Sequence, residues 1–120
     1  MVHADDGLDE LSTIGPTRVS ELKGGEVHTW TLDPARLGIP YARLSDLQVE
    51  TADESADVIR RVLWNESTPA RDIVVLNAGA ALLVAGQGDD LPAALRRAEE
   101  AIETGAAQRT LETLVRVSNG

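Results

Sequence analysis

Thr68-Pro69-Ala70-Arg71-Asp72-Ile73-Val74-Val75-Leu76-Asn77-Ala78-Gly79-Ala80-Ala81-Leu82-Leu83-Val84-Ala85-Gly86 is the stretch on which the fold turns. Thr68 before Pro69 is a helix start, because proline at the first helical position loses no hydrogen bond there. Asp72 lies in the first turn, where the helix dipole favours an acid. From Ile73 to Ala85 the segment is apolar all round apart from Asn77, so the expectation is a central helix covered on most sides. Gly79, Ala80 and Ala81 allow a neighbour to come close. Asn77 reads as an amide holding a nearby backbone group, since an unpaired one would cost about 1–3 kcal/mol.

Three further helices follow from the flanks. Upstream, Thr51-Ala52-Asp53-Glu54 has capping-box spacing, and Val58, Ile59, Val62 and Leu63 line one face of a helix ending near Trp64. Downstream, Asp90 caps a helix with Leu91, Leu95, Ala98 and Ile102 on its apolar face and Arg96 paired with Glu100 outside; it stops at Thr104-Gly105. The last helix, about 106–117, places Ala107, Leu111, Leu114 and Val115 on one side. Nearer the start, Thr17 to Lys23 and Glu26 to Leu32 flank Gly24-Gly25, which predicts a β-hairpin. Residues 33–50, broken by Asp33-Pro34 and Gly38-Ile39-Pro40, read as connection, and the first fifteen residues as loop.

Composition narrows the function classes. Of 120 residues, 42% are hydrophobic and 26% charged, a balance that folds. The chain has no Phe, and its aromatic residues are Trp30, Tyr41 and Trp64, too few for a base-stacking surface. A net charge of -9, with 11 basic residues scattered among 20 acids, opposes binding to nucleic acid or an anionic membrane. The absence of cysteine excludes disulfides and thiolate metal sites and fits a reducing, cytoplasmic setting. The basic start of a signal peptide is missing, and the longest apolar run is too short to span a bilayer.

The only dense group of potentially catalytic side chains is His3, Asp5, Asp6, Asp9 and Glu10. The adjacent carboxylates Asp9 and Glu10 suit a hard cation such as Mg²⁺, which takes one or two protein carboxylates and completes its octahedron with water and phosphate. Judged on the residues alone, an acidic loop is more often a solvated surface. The spacing departs from a calcium-binding loop, since Gly7 follows Asp5 by two residues instead of five. His3 and His28 have no second ligand at metal-binding spacing. The phosphate-loop, dinucleotide, nucleophile-elbow and zinc-protease motifs are absent.

Asp6-Gly7-Leu8-Asp9-Glu10-Leu11-Ser12, followed by Gly15-Pro16-Thr17-Arg18-Val19, resembles the segment that opens the last third of the anthranilate phosphoribosyltransferase family. The resemblance continues through Ala70 to Leu82 and Ala101 to Ala107, and so covers the whole chain. It implies an α/β fold, with residues 1–120 as the C-terminal part of the phosphoribosyltransferase/nucleoside phosphorylase catalytic domain, here a β-hairpin plus about four helices. It implies a pentosyl transferase that moves the phosphoribosyl group of Mg²⁺-bound phosphoribosyl pyrophosphate onto anthranilate in tryptophan biosynthesis. It also implies that Asp9 and Glu10 share in holding that Mg²⁺. No substrate-contacting residue carries over. The family's G-T-G-G-D and K-H-G-N segments and its dimer-forming helical domain lie upstream of the resembling region, so the 120 residues alone are expected to be inactive. Ala4 stands where a glycine is common. Two other readings stay open: a non-catalytic binding module derived from that domain, and a segment of a pyrimidine nucleoside phosphorylase.

Overall fold

Gly24 and Gly25 take φ of +61° and +86°, the left-handed pair that a two-residue hairpin turn demands. They join β2 (Thr17–Lys23) to β3 (Glu26–Leu32), antiparallel from Lys23 opposite Glu26 to Thr17 opposite Leu32, as the glycine pair predicts. The computed structural model describes all 120 residues, which form two compact units, Met1–Gln48 and Val49–Gly120.

The first unit contains a strand that the sequence does not reveal. The sequence predicts loop for residues 2–4, but Val2–Ala4 forms β1, which pairs antiparallel with β2 through Val2–Val19, His3–Arg18 and Ala4–Thr17. Three residues are too few to display a period of two. The strand exists because its backbone groups find partners fifteen or so positions away, and the Met1 ammonium adds a 3.0 Å bond to the Ser20 carbonyl. The sheet order is β1-β2-β3. Ala4, Leu11 and Leu32 are buried in this unit beside Ser12, Thr13 and Thr17.

Residues 33–48 are connection, as expected, with two single 3-10 turns, Pro34–Leu37 and Leu44–Asp46. Asp33 caps the first by accepting from the Ala35 N–H at 3.0 Å, and the Tyr41 hydroxyl donates to the same carboxylate at 2.8 Å. The Arg43 guanidinium donates to Asp46, which holds that carboxyl below its ordinary range.

The second unit contains the four helices: α1 (Ala52–Leu63), α2 (Pro69–Val84), α3 (Leu91–Glu103) and α4 (Ala106–Ser118). Each predicted cap is present. Thr51 Oγ1 accepts from the Glu54 N–H at 3.2 Å while Glu54 Oε2 accepts from the Thr51 N–H at 3.3 Å, Thr68 Oγ1 accepts from Arg71 at 3.2 Å, and Asp90 Oδ1 accepts from Ala93 at 2.7 Å. Gly105, at φ +70°, makes the turn from α3 into α4. At Asp72 partial burial outweighs the favourable helix end and the neighbouring Arg71, and raises its pKa.

Two expectations about this unit are corrected. α2 is not covered on most sides: Val75, Leu76 and Gly79 are buried, but Val74 is 45% exposed and Val84 90%, because α3 packs on one face of it and α1 touches it less. Arg96 and Glu100 are both exposed and make no ion pair; the contact across α2 and α3 is instead Arg71 to Glu99 at 4.0 Å. On α4, Leu111 is half-buried while Leu114 and Val115 face solvent. The Asn77 amide donates to the Ile73 carbonyl of its own helix at 3.0 Å, so it does hold a nearby backbone group.

Gly79 is where α2 and α3 come closest. A Cβ placed there would lie 2.6 Å from Leu95 Cδ2 and 3.0 Å from Leu95 Cα. The methyl group can be relieved by a rotamer change, but the backbone atom cannot move without the helix. Gly79→Ala is therefore expected to lower the stability of the helical unit, with an overpacking cost of about 1–3 kcal/mol only partly offset by about 1 kcal/mol of helix propensity. A urea titration followed by circular dichroism at 222 nm measures the difference, and a stabilised variant would refute the close approach.

Candidate functional site

Asp9 and Glu10 lie in the twelve-residue connection, 5–16, between β1 and β2. The connection is built from its ends inward. Its base closes where the Asp5 N–H donates to the Pro16 carbonyl at 3.1 Å. A tight turn follows, in which the Gly7 N–H donates to the Ala4 carbonyl at 3.0 Å with Gly7 at φ +96°. Asp6 Oδ1 accepts from the Leu8 N–H at 3.0 Å, the local bond that makes aspartate a turn residue.

The far side of the loop is buried. The Ser12 N–H donates to Thr17 Oγ1 at 3.1 Å, Ser12 Oγ accepts from the Ile14 N–H at 2.9 Å, and the Ser12 hydroxyl donates to Asp6 Oδ2. The Thr13 carbonyl accepts from the Ala42 N–H at 2.9 Å. Asp6 and Ser12 thus tie the two sides of the loop together, and Asp9 and Glu10 sit on the exposed span between them. Neither carboxylate accepts a hydrogen bond or joins an ion pair.

The rest of the acidic cluster does not converge on this pair, and no group of three or more histidine and acidic side chains is assembled to hold a metal. His3 is exposed on β1 opposite Arg18. His28 is on β3 opposite Glu21 and contacts Glu26 at 3.7 Å. What remains is a pair of unengaged, exposed carboxylates on a braced loop. Such a donor set fits a hard cation that draws its other ligands from water and phosphate, and it does not fit a cation needing a full protein cage.

Thr13 Oγ1 is fully buried and has no hydrogen-bond partner. Burying an unpaired hydroxyl costs about 1–3 kcal/mol, so Thr13→Val, which keeps the shape and removes the polar atom, is expected to stabilise the first unit by about 1 kcal/mol. Thermal melting of the two proteins side by side checks this. A lower midpoint for the valine variant would mean that the hydroxyl has a partner in solution.

Sequence reasoning names Asp6 as one acid among several and misses Ser12. The Asp6-Gly7 turn is legible, but the partner six residues on is not, because the bond depends on how the loop closes.

A family model described as "Glycosyl transferase family, a/b domain" matches residues 1–108. Anthranilate phosphoribosyltransferase of Rhodospirillum rubrum is 45% identical over 98% of this chain and 34% of its own length, and that of Methylobacterium nodulans is 47% identical over 98% and 35%. The chain spans about a third of the length of the curated relatives it matches. Among solved structures, anthranilate phosphoribosyltransferase from Thermus thermophilus superposes with a TM-score of 0.85 at 32% identity, covering 99% of this chain and 35% of that one. The Saccharomyces cerevisiae enzyme in complex with PRPP and Mg gives 0.81 at 27%, covering 92% and 32%. No helix here is long and apolar enough to cross a membrane. With 108 of its 120 residues matched, and its strands and helices superposing on the same proteins, the chain belongs to the glycosyl transferase family, a/b domain.

Proposed function

We propose that this chain is the C-terminal part of an anthranilate phosphoribosyltransferase, working in the cytoplasm as part of a homodimeric enzyme of tryptophan biosynthesis. The observation that carries the reading is 45% identity to the Rhodospirillum rubrum enzyme along 98% of the chain. Phosphoribosyl pyrophosphate and anthranilate are then the substrates of the complete protein. Asp9 and Glu10 are the residues of this chain that meet the first of them, through Mg²⁺. The yeast relative solved with PRPP and Mg supports that assignment of substrate and metal class.

In this reading, bound Mg²⁺ neutralises charge that develops on the departing pyrophosphate. The chain's own contribution is to offer two carboxylates that nothing else engages, on a loop held at both sides. Because Asp9 and Glu10 are already exposed and unpaired, presenting them to a cation breaks no internal bond. Transfer also requires the two substrates to be oriented against each other, and no residue of the 120 is assigned to that task.

The test is complementation in one polypeptide. The chain fused behind the preceding two-thirds of the Rhodospirillum rubrum enzyme is expected to consume anthranilate, seen as loss of its fluorescence, only when phosphoribosyl pyrophosphate and Mg²⁺ are both present. The 120 residues alone are expected to show no turnover. A well-folded fusion without activity would favour the non-catalytic module.

A further inference from the structure

We propose that Asp6 and Ser12 are positioning residues: their mutual hydrogen bond sets the conformation in which the loop presents Asp9 and Glu10 to a divalent cation. This rests on the reading of Asp9 and Glu10 given above and adds to it a role for two residues that touch neither metal nor substrate.

The geometry behind the inference is specific. Asp6 uses both of its oxygens, Oδ1 on the Leu8 N–H and Oδ2 on the Ser12 hydroxyl. Ser12 donates its hydroxyl to Asp6, accepts from Ile14 on its Oγ, and reaches Thr17 Oγ1 on β2 through its N–H. Ser12 is fully buried while Asp6 is exposed, so the bond pins an outer turn to the buried side of the loop, which Ser12 ties to Thr17 of β2. Residues 7–11 form the span closed by this bond, and Asp9 and Glu10 lie within it. Without it, the span keeps its near-side bond from the Ala4 N–H to the Leu8 carbonyl at 3.1 Å but loses the side-chain bond across its base, and two carboxylates that must point together sample more arrangements. Ordering them would then be charged against cation binding.

Mn²⁺ serves as the probe, because its unpaired electrons broaden nearby amide signals in an NMR spectrum of the 120-residue chain. In the unsubstituted protein, broadening centred on Asp9 and Glu10 and reversed by excess Mg²⁺ is expected. Asp6→Asn keeps the acceptor for Leu8 but loses the one for Ser12, and is expected to weaken Mn²⁺ binding about three- to tenfold, as loss of one hydrogen bond would. Asp5→Asn removes the same charge from the same loop without touching the bond and provides the control. Ser12→Ala breaks the bond from the other side with no change in charge, and Leu32→Ala destabilises the same unit through its core while leaving every side chain of the loop in place.

The proposal holds if Asp6→Asn and Ser12→Ala weaken Mn²⁺ binding while Asp5→Asn and Leu32→Ala do so clearly less. Should Ser12→Ala fail to fold, the Asp6→Asn and Asp5→Asn pair decides, since both positions are exposed. Equal binding by those two, with broadening still centred on Asp9 and Glu10, overturns the positioning role and leaves the metal reading intact. Absence of any localised broadening in the unsubstituted protein, both with Mn²⁺ alone and with inorganic pyrophosphate added to supply the phosphate ligands, overturns the metal reading and this inference with it.

Discussion

Asp9→Ala and Glu10→Ala in the fusion enzyme are each expected to lower kcat/KM at fixed Mg²⁺ by on the order of 10²-fold, with part of the loss recovered at high Mg²⁺. The expectation follows from what the carboxylates lack in the structure. Neither has a hydrogen bond or ion pair, so neither contributes to the loop that carries it. Their removal should leave the melting temperature nearly unchanged, since surface substitutions of this kind stay within about 0.5 kcal/mol. A large kinetic effect beside a negligible thermal one is the signature of a group that acts on a ligand. A Mg²⁺ titration of the rate separates weaker metal binding, which shifts the curve to higher Mg²⁺, from damage elsewhere. If both variants follow the unsubstituted Mg²⁺ curve, the two carboxylates belong to solvent and the assignment fails.

The largest effect on stability is expected at Leu76. It has no exposed surface and lies on α2 between Val75 and Asn77, on the face that also carries Gly79 toward α3. Leu76→Ala removes buried methyl groups and leaves a cavity lined by a helix pair held close at Gly79, which limits collapse around it. The expected loss is about 2–5 kcal/mol in the stability of the helical unit. That is a large part of what a small domain has to lose, so the variant is expected to be partly unfolded at about 37 °C. Val84→Ala on the same helix, where the side chain is 90% exposed, is expected to change stability by less than about 0.5 kcal/mol. The shift of each denaturant midpoint relative to the unsubstituted chain is the measurement, and similar effects at both positions would contradict the one-sided burial of α2.

The contrast between Leu76 and Val84 also marks how far the sequence can be read. Ile73 to Ala85 is apolar on every side but for Asn77, so its composition cannot say which face is covered; α3 lying against Val75, Leu76 and Gly79 decides that. Arg96 and Glu100 have the right spacing for a pair, yet long exposed side chains have little reason to hold one geometry in water. The metal reading of Asp9 and Glu10 comes from the family resemblance, not from the acidic loop itself, and the loop's brace is not legible at all.

The sequence by itself determined the elements whose signals are local. Gly24-Gly25 supplied the hairpin turn through its positive φ, and Thr51, Thr68 and Asp90 marked three helix starts because a cap is satisfied within three residues of itself. Tertiary structure alone decided the rest: that Val2–Ala4 becomes a strand, which face of α2 is buried, and that Asp6 meets Ser12 across the loop. In each case the bond or contact partner is brought near by the path of the chain, and no pattern of neighbouring residues encodes that path.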